Sequence, residues 1–368
     1  MSLRDTLRSA AALPWRTLGA MGLPVPGQTP VSFVVERRDW SIRWDGIQIC
    51  RRVNELDAGL ARLTTRPERI VGGVAHFGSQ FMWEVWHEHI SPKTAVAISY
   101  FHGKPEDGPD MARHVDAFRS AMHKIDRVIV ANSEVETRLK GWGVPQDQLV
   151  RIPIGVDTKL FTPPSPDTRS AARQKFGVPK NRLVIGSFQK DGNGWGDGMD
   201  PKLVKGPDLF LEAVAELAKD FPIFVLLTGP ARGYVTTGLD RLGIPYAHHY
   251  LADYLDIVPA YHALDLYLMT SREEGGPKAI LECAATGIPL VSSRVGMATD
   301  VIEDGKTGFL VDVGDTAATV RHAAAFLGNA DLRATMSIAA HAAIEPYDWR
   351  HVGKLHYDNV YKPLIERT

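Results

Sequence analysis

The sequence predicts an α/β protein made of two doubly wound domains, and three observations carry that prediction. Strand-like apolar runs alternate with helix-prone amphipathic segments over the first 150 or so residues, which is the pattern of a parallel sheet flanked by helices. After the proline-rich stretch Phe161-Thr-Pro-Pro-Ser-Pro166 the same alternation starts again. The chain of 368 residues, 44% hydrophobic, is long enough to bury two cores. The expected division is a first domain over 1–160 and a second over 161–346.

In the first half, strands are predicted over Val31–Glu36, Arg69–Ala75, Thr94–Tyr100, Arg127–Ala131 and Leu149–Pro153. Helices are predicted over Ile47–Leu63, Met111–Lys124 and Glu134–Trp142. Ahead of them, Leu3, Leu7, Ala10, Leu13, Leu18 and Met21 recur at roughly helical spacing within Met1–Leu23, with Arg4, Arg8 and Arg16 outnumbering Asp5 and Pro14 interrupting the run. Such a segment packs on its own domain or a partner subunit, or lies against an anionic membrane surface. Three basic residues add little membrane affinity, so the packing arm is the favoured reading.

In the second half, strands are predicted over Arg182–Phe188, Phe221–Thr228, Leu264–Ser271 and Ile288–Ser293. Pro277–Thr286 is helix-prone, with proline at a permitted first position and Gly287 as its stop. The unit Leu264–Ser293 has the length of a βαβ crossover, so Arg272–Gly276 falls on the loop beyond the carboxyl end of a strand, where ligands of open α/β sheets collect. Gly275 and Gly276 let a ligand approach the backbone, and the helix start, with Lys278 and Ala279, favours an anion such as phosphate. Pro277 removes one donor from that cradle. Glu274 and Glu282 flank the glycines eight positions apart. Glu282 lies about 7.5 Å along the helix from Pro277 at ~1.5 Å per residue. The two carboxylates therefore suit hydroxyls on either side of a diphosphate better than one small shared group. A solvated loop charge and a surface helix charge remain the alternative on local physics alone.

The residues Tyr254–Tyr261, Ala263–Asp265, Ser271–Gly276, Leu281–Ser292, Gly296 and Ile302–Val311 resemble the nucleotide-sugar half of retaining GT-B glycosyltransferases, and family 4 in particular, whose signature is two glutamates separated by seven residues. The likeness runs from about Asp126 to Asp315. It implies two Rossmann-like domains facing across a cleft, the first on the acceptor side and the second binding the nucleotide sugar. It also implies that the carboxyl-terminal helix, within 347–368, returns to complete the first domain, with hinges near Pro153–Pro166 and Pro346.

The resemblance further implies individual roles. His102, in Ser99-Tyr-Phe-His-Gly103, matches a first-domain histidine beside the transferred sugar; a lone histidine near aromatic side chains is otherwise more often structural. Glu274 would orient the sugar and Glu282 hold the ribose. Lys205-Gly206 matches the lysine-glycine pair that contacts the diphosphate. Where the family has an arginine this chain has Ser187 or Phe188, and Lys190 is expected to supply the missing charge; Arg232, on the loop Gly229–Arg232 after a strand, is a further candidate phosphate contact. The glycine-rich insertion Asp191–Gly198 is a lid or a long surface loop. Gly275-Gly276-Pro277-Lys278 departs from the family's more usual Gly-Phe-Gly, and Ile154 stands where asparagine is usual. The implied chemistry is transfer of a sugar from a UDP- or GDP-linked donor to a hydroxyl with retention, in cell-surface glycan or glycolipid synthesis. It needs no metal and no cofactor; Asp107 and Asp110 form an acidic pair without companion ligands.

Composition sets bounds on other classes. A net charge of -1 with sequence pI near 6.9 argues against a nucleic-acid partner. Cys50 and Cys283 are expected as free buried thiols in a reducing cytoplasm. No apolar run reaches the ~20 residues that span a bilayer, so the expected location is cytoplasmic, with peripheral contact at the inner membrane face through the amino-terminal segment as the membrane-associated version. A retaining glycoside hydrolase also uses two carboxylates, but flanking a bond in an open cleft rather than within a helix beside a glycine loop. An oxidoreductase would want Gly-x-Gly-x-x-Gly leading directly into a helix, which the glycines at 192–198 do not. A non-catalytic nucleotide-sugar-binding homologue would keep the fold and lose turnover.

Overall fold

The computed structural model describes residues 3–21, 25, 27–37 and 41–367, with the side chains of Leu3 and Asp5 outside that description. The ends of the predicted segment Met1–Leu23 also lie outside the described residues. The chain divides into two compact units, 1–155 with 349–368, and 156–348.

The first unit is a six-stranded parallel sheet: β1 (Val31–Val34), β2 (Ala61–Thr64), β3 (Val74–Phe77), β4 (Ala95–Tyr100), β5 (Arg127–Val130) and β6 (Leu149–Arg151), in the order β2-β1-β3-β4-β5-β6. Its central strands are buried along their whole length, as expected of a sheet covered on both faces. Three elements differ from the sequence prediction: the strand expected over Arg69–Ala75 is β3 at Val74–Phe77, after a 3-10 turn over Pro67–Arg69. The helix expected over Ile47–Leu63 is Ser41–Leu56, and its last residues are replaced by the edge strand β2. A short helix, Gln80–Trp86, follows β3, capped by Ser79, whose side chain accepts from the Phe81 amide.

The amino-terminal helix Leu3–Ala20 packs on this unit. Arg8 lies over Trp86, Arg69 over Trp15, and Lys93 donates to the Gly19 carbonyl at 3.2 Å. Leu7, Leu13 and Met21 stay exposed on it. None of the described helices is long and apolar enough to cross a membrane.

The carboxyl-terminal segment, Trp349–His356 continued by a π-helical turn over Tyr357–Tyr361, packs against the helix Ser41–Leu56. It closes a buried polar cluster. His76 on β3 bonds Tyr361 Oη at 2.6 Å and Ser99 Oγ at 3.0 Å, and His356 stacks against it. Burial lowers the His76 pKa well below the ordinary value, and it brings His356 to about 4 against the usual 6.5. Both therefore fold as neutral rings. In the unfolded chain they take up protons below about pH 6.5, so the stability they contribute is present above that pH and lost as pH falls toward 4. For His356 alone the loss is about 3 kcal/mol at 1.36 kcal/mol per unit. The urea-unfolding stability of the protein minus that of His356→Asn should fall by this amount between pH 7 and pH 4. A difference that stays constant with pH would contradict the assignment. Cys50 and Cys283 are free and buried, and burial pushes the Cys50 thiol up to about 12.

The second unit repeats the design with β7 (Leu183–Phe188), β8 (Ile223–Thr228), β9 (Tyr246–His249), β10 (Leu266–Met269), β11 (Leu290–Ser293) and β12 (Phe309–Val311), ordered β12-β11-β10-β7-β8-β9 and all parallel. Its core joins Ile185, Val225, Leu227, Leu266 and Leu268 of the sheet to Phe210, Val214 and Leu217 of the helix Pro207–Asp220. Strand order reverses between β7 and β10. Loops leaving adjacent strands at such a point diverge to opposite faces and leave a crevice at their carboxyl ends.

Candidate functional site

Both loops at this reversal carry the residues singled out from the sequence. After β7 the chain runs through the glycine-rich insertion to a single 3-10 turn, Leu203–Lys205, and then Gly206. After β10 comes Ser271–Pro277, leading into the helix Lys278–Thr286. The two loops are stitched together. Arg272 donates to both carboxylate oxygens of Asp208, at 2.8 and 2.6 Å, and to the Leu203 carbonyl at 2.6 Å, while its own amide donates to Val204 O. Asp208 holds the guanidinium pKa up, and the guanidinium holds the Asp208 carboxyl down. Gly206 has φ +63, and a Cβ there would stand 1.9 Å from the Thr270 carbonyl oxygen, so only glycine lets the turn approach the end of β10.

This geometry brings Lys205 and Glu274 together. Lys205 Nζ lies 2.6 Å from Glu274 Oε1, which also accepts from Ser271 Oγ at 2.8 Å. Behind Glu274, Gly296 (φ +49) presses on the loop; a Cβ at that position would meet Glu274 O at 2.3 Å and Gly275 O at 2.7 Å. Gly276, Lys278 and Ala279 stand half-buried at the start of the following helix, whose cap position, Pro277, makes no side-chain capping bond. The Ile280 amide already donates to the Pro277 carbonyl at 3.2 Å, so what the helix start offers a phosphate is its positive dipole end.

Glu282 sits one turn deeper and is 3% exposed. One oxygen accepts from Tyr254 Oη and the other from Tyr261 Oη at 2.5 Å. Burial, and then the neighbouring Glu282 charge, raise the Tyr261 pKa well above its ordinary value, so this phenol remains a donor. Glu282 is therefore no surface charge. It is a buried carboxylate held by two phenols, a pairing that the residue spacing did not reveal.

Lys190 follows β7 and places its ammonium 4.1 Å from the centre of the Trp195 ring. Lys202, absent from the sequence-derived set, joins the cluster. Its amide donates to Asp191 O, its carbonyl accepts from the Lys205 amide, and after burial the Lys205 and Lys190 charges lower its pKa while Glu274 raises it. Lys202 and Lys205 stand three residues apart at a 3-10 turn, where such side chains eclipse. That spacing was the only sequence signal available.

Arg232 requires a correction. It was expected as a phosphate contact, but it is 1% exposed, and Nη1 donates to Ser187 O, Gln189 O and Thr228 O at 2.7, 2.8 and 2.9 Å. Its Nε lies 3.0 Å from buried Asp191 Oδ1. The guanidinium is consumed in closing the base of the insertion and has no face left for a ligand. The insertion itself is a hairpin: Gly192 pairs with Pro201, and the Gly233 and Tyr234 amides donate to Asp197 O and Gly198 O. Anchored at its base and along one side, it resembles a fixed wall with Trp195 exposed rather than a lid.

His102 belongs to the first unit. It is exposed after β4, its carbonyl accepts from Gln80 Nε2 at 2.8 Å, and its ring lies 6.3 Å from that of Phe81. Asp107 caps its own turn through the Lys104 amide, and Asp110 pairs with Arg113, so local contacts account for both acids.

Residues 198–329 match the family model for glycosyl transferases group 1. That match covers part of the second unit. The chain is 28% identical over 303 residues to a D-inositol 3-phosphate glycosyltransferase of Corynebacterium urealyticum, covering 77% of this chain and 66% of the relative. It is also 28% identical over 253 residues to a GDP-mannose-dependent α-(1-6)-phosphatidylinositol monomannoside mannosyltransferase of Mycolicibacterium smegmatis, covering 64% and 63%. The chain thus spans just under two thirds of the length of these relatives. Among solved structures, Anabaena HepE in complex with UDP and glucose aligns with TM-score 0.71 at 18% identity, over 88% of this chain and 97% of that one. Sucrose-phosphate synthase from Thermosynechococcus elongatus aligns with TM-score 0.74 at 15% identity, over 93% and 100%. The fold of this chain is GT-B, two α/β units each built on a six-stranded parallel sheet.

Proposed function

We propose that this protein is a retaining glycosyltransferase that moves a sugar from a UDP- or GDP-linked donor to a hydroxyl acceptor in glycan or glycolipid synthesis. The observation that carries the reading is the Lys205–Glu274–Ser271 cluster at the strand-order reversal of the second unit, one helical turn above buried Glu282. A cation and a helix start suit a diphosphate, and a carboxylate on each side suits the hydroxyls of a sugar and a ribose.

In this reading Lys205, with Lys202 and Lys190, neutralises the charge that grows on the diphosphate as the bond from the anomeric carbon to oxygen breaks. The acceptor oxygen bonds the same carbon from the same face, and its proton passes to a departing phosphate oxygen. Glu274 orients the sugar, Glu282 holds the ribose, and His102 is the first-unit candidate for supporting turnover. The relatives' names, one specifying GDP-mannose and another an inositol phosphate, support a nucleotide-sugar donor and a polyol or lipid-linked acceptor.

Titration with UDP and GDP, followed by turnover assays with the corresponding sugars, tests the function. Glu282→Ala should weaken nucleoside diphosphate binding by about 1–3 kcal/mol if the carboxylate accepts ribose hydroxyls. Unchanged affinity by calorimetry would remove Glu282 from the site.

A further inference from the structure

Glu282 already has hydrogen-bond donors. A ribose that claims this carboxylate must share it with, or take it from, the two phenols now bonded to it, and the two are held very differently.

Tyr261 is fully buried on the helix Ile257–His262, with its ring 4.9 Å from Phe188 and 5.9 Å from Tyr267 by centroid. It cannot leave without opening the core. Tyr254 is half-buried and sits on a single 3-10 turn, Tyr254–Asp256, among the exposed neighbours Ala252, Asp253, Leu255 and Asp256. That turn is held by the Asp253 side chain, which accepts from the Leu255 amide at 2.9 Å. The Tyr254 ring touches Phe161, 6.2 Å between centroids, and lies under the ammonium of Lys278, the first residue of the Glu282 helix, at 5.5 Å. The Asp256 amide also donates to Asp253 O at 3.2 Å, and Asp256 pairs with Lys175 at 3.6 Å; a single, largely exposed turn held by bonds of this kind opens at lower cost than a core helix. Tyr254 is thus the movable cover on Glu282, and Tyr261 the fixed one.

We propose that Tyr254 is a specificity-determining self-ligand: its hydroxyl holds the Glu282 oxygen that a donor's ribose needs, and donor binding displaces it. This rests on the nucleotide-sugar reading above. Affinity for the nucleotide is then set by the difference between ribose and phenol as donors to one buried carboxylate, so only a ligand with suitably placed hydroxyls recovers what displacing Tyr254 loses.

Tyr254→Phe keeps the ring and its contacts with Phe161 and Lys278 and removes only the competing hydroxyl. Calorimetric titration of the full chain with UDP, GDP and inorganic pyrophosphate should show the variant binding the preferred nucleotide about five- to tenfold more tightly than wild type, the size of one hydrogen bond. Pyrophosphate, which carries no ribose, should bind both proteins alike. The ultraviolet difference spectrum on nucleotide binding should contain a tyrosine component in wild type that the variant lacks. Equal or weaker nucleotide binding by the variant overturns the inference while leaving the nucleotide reading intact, as does a matching gain for pyrophosphate. Failure of wild type and variant alike to bind either nucleotide overturns both.

Discussion

Arg232→Ala should destabilise the second unit by about 3–5 kcal/mol, the range for removing one partner of a buried ion pair. The side chain has no solvent exposure, and its charge faces Asp191, which is 1% exposed. The 3.0 Å contact between Nε and Oδ1 is an ion pair whose N–H is not aligned for a hydrogen bond, so the Asp191 side-chain oxygens have no hydrogen-bond donor among the described residues. Burial raises the Asp191 pKa, and the Arg232 charge is the largest opposing influence. Without the arginine, the carboxylate is stranded, and the carbonyls of Ser187, Gln189 and Thr228 each lose a donor. Urea unfolding followed by circular dichroism measures the loss. Asp191→Asn combined with Arg232→Met should be milder than the sum of the single changes, because the two groups answer each other. Strict additivity would contradict the pairing, and a folded, stable Arg232→Ala with weakened diphosphate binding would restore the arginine to the ligand site.

Why Arg232 misleads from sequence says much about what a chain reveals. An arginine on the loop after a strand, near the expected crevice, has the right chemistry for phosphate. Its partner, Asp191, lies 41 residues earlier, and only the pairing of β7 with β8 brings the two loops together. Tyr254 and Glu282 are separated in the same way, and so is the tie from Arg272 to Asp208. By contrast, Lys205-Gly206 and Glu274–Glu282 are legible because each motif is local: a turn that requires glycine, and a loop running straight into a helix. The same division holds for the fold. Buried central strands such as β4 and β8 announce themselves as apolar runs, whereas β2 follows a helix after only four residues and β9, Tyr246-Ala-His-His, has no fully buried position. Edge strands pack on one side at most, so their composition carries little of the signal that identifies a core strand.

Lys205→Ala should lower turnover by about 10²–10³-fold, the cost typical of deleting one group that stabilises developing charge. Three features set Lys205 apart from the other lysines in this reading. Its ammonium is largely sheltered, with 23% of the side chain exposed, and directed by the 2.6 Å contact with Glu274. The turn bearing it is fixed by Gly206 against Thr270 and by Arg272 against Leu203. Lys190, resting on the exposed Trp195 ring, and Lys202, on the exposed side of the turn, hold their charges less firmly. Charge stabilisation depends on groups placed before the reaction begins, so the three substitutions should rank Lys205→Ala well above Lys202→Ala and Lys190→Ala in lost turnover. Each should also weaken binding of the free nucleoside diphosphate. Lys205→Arg restores charge but not position, since a planar fork replaces a compact ammonium against Glu274, and it should recover binding more than rate. Steady-state kinetics with the preferred donor decide the matter. Equal losses for all three lysines would mean that the cluster acts only as a diffuse positive field, and an unimpaired Lys205→Ala would move the diphosphate away from the Glu274 loop altogether.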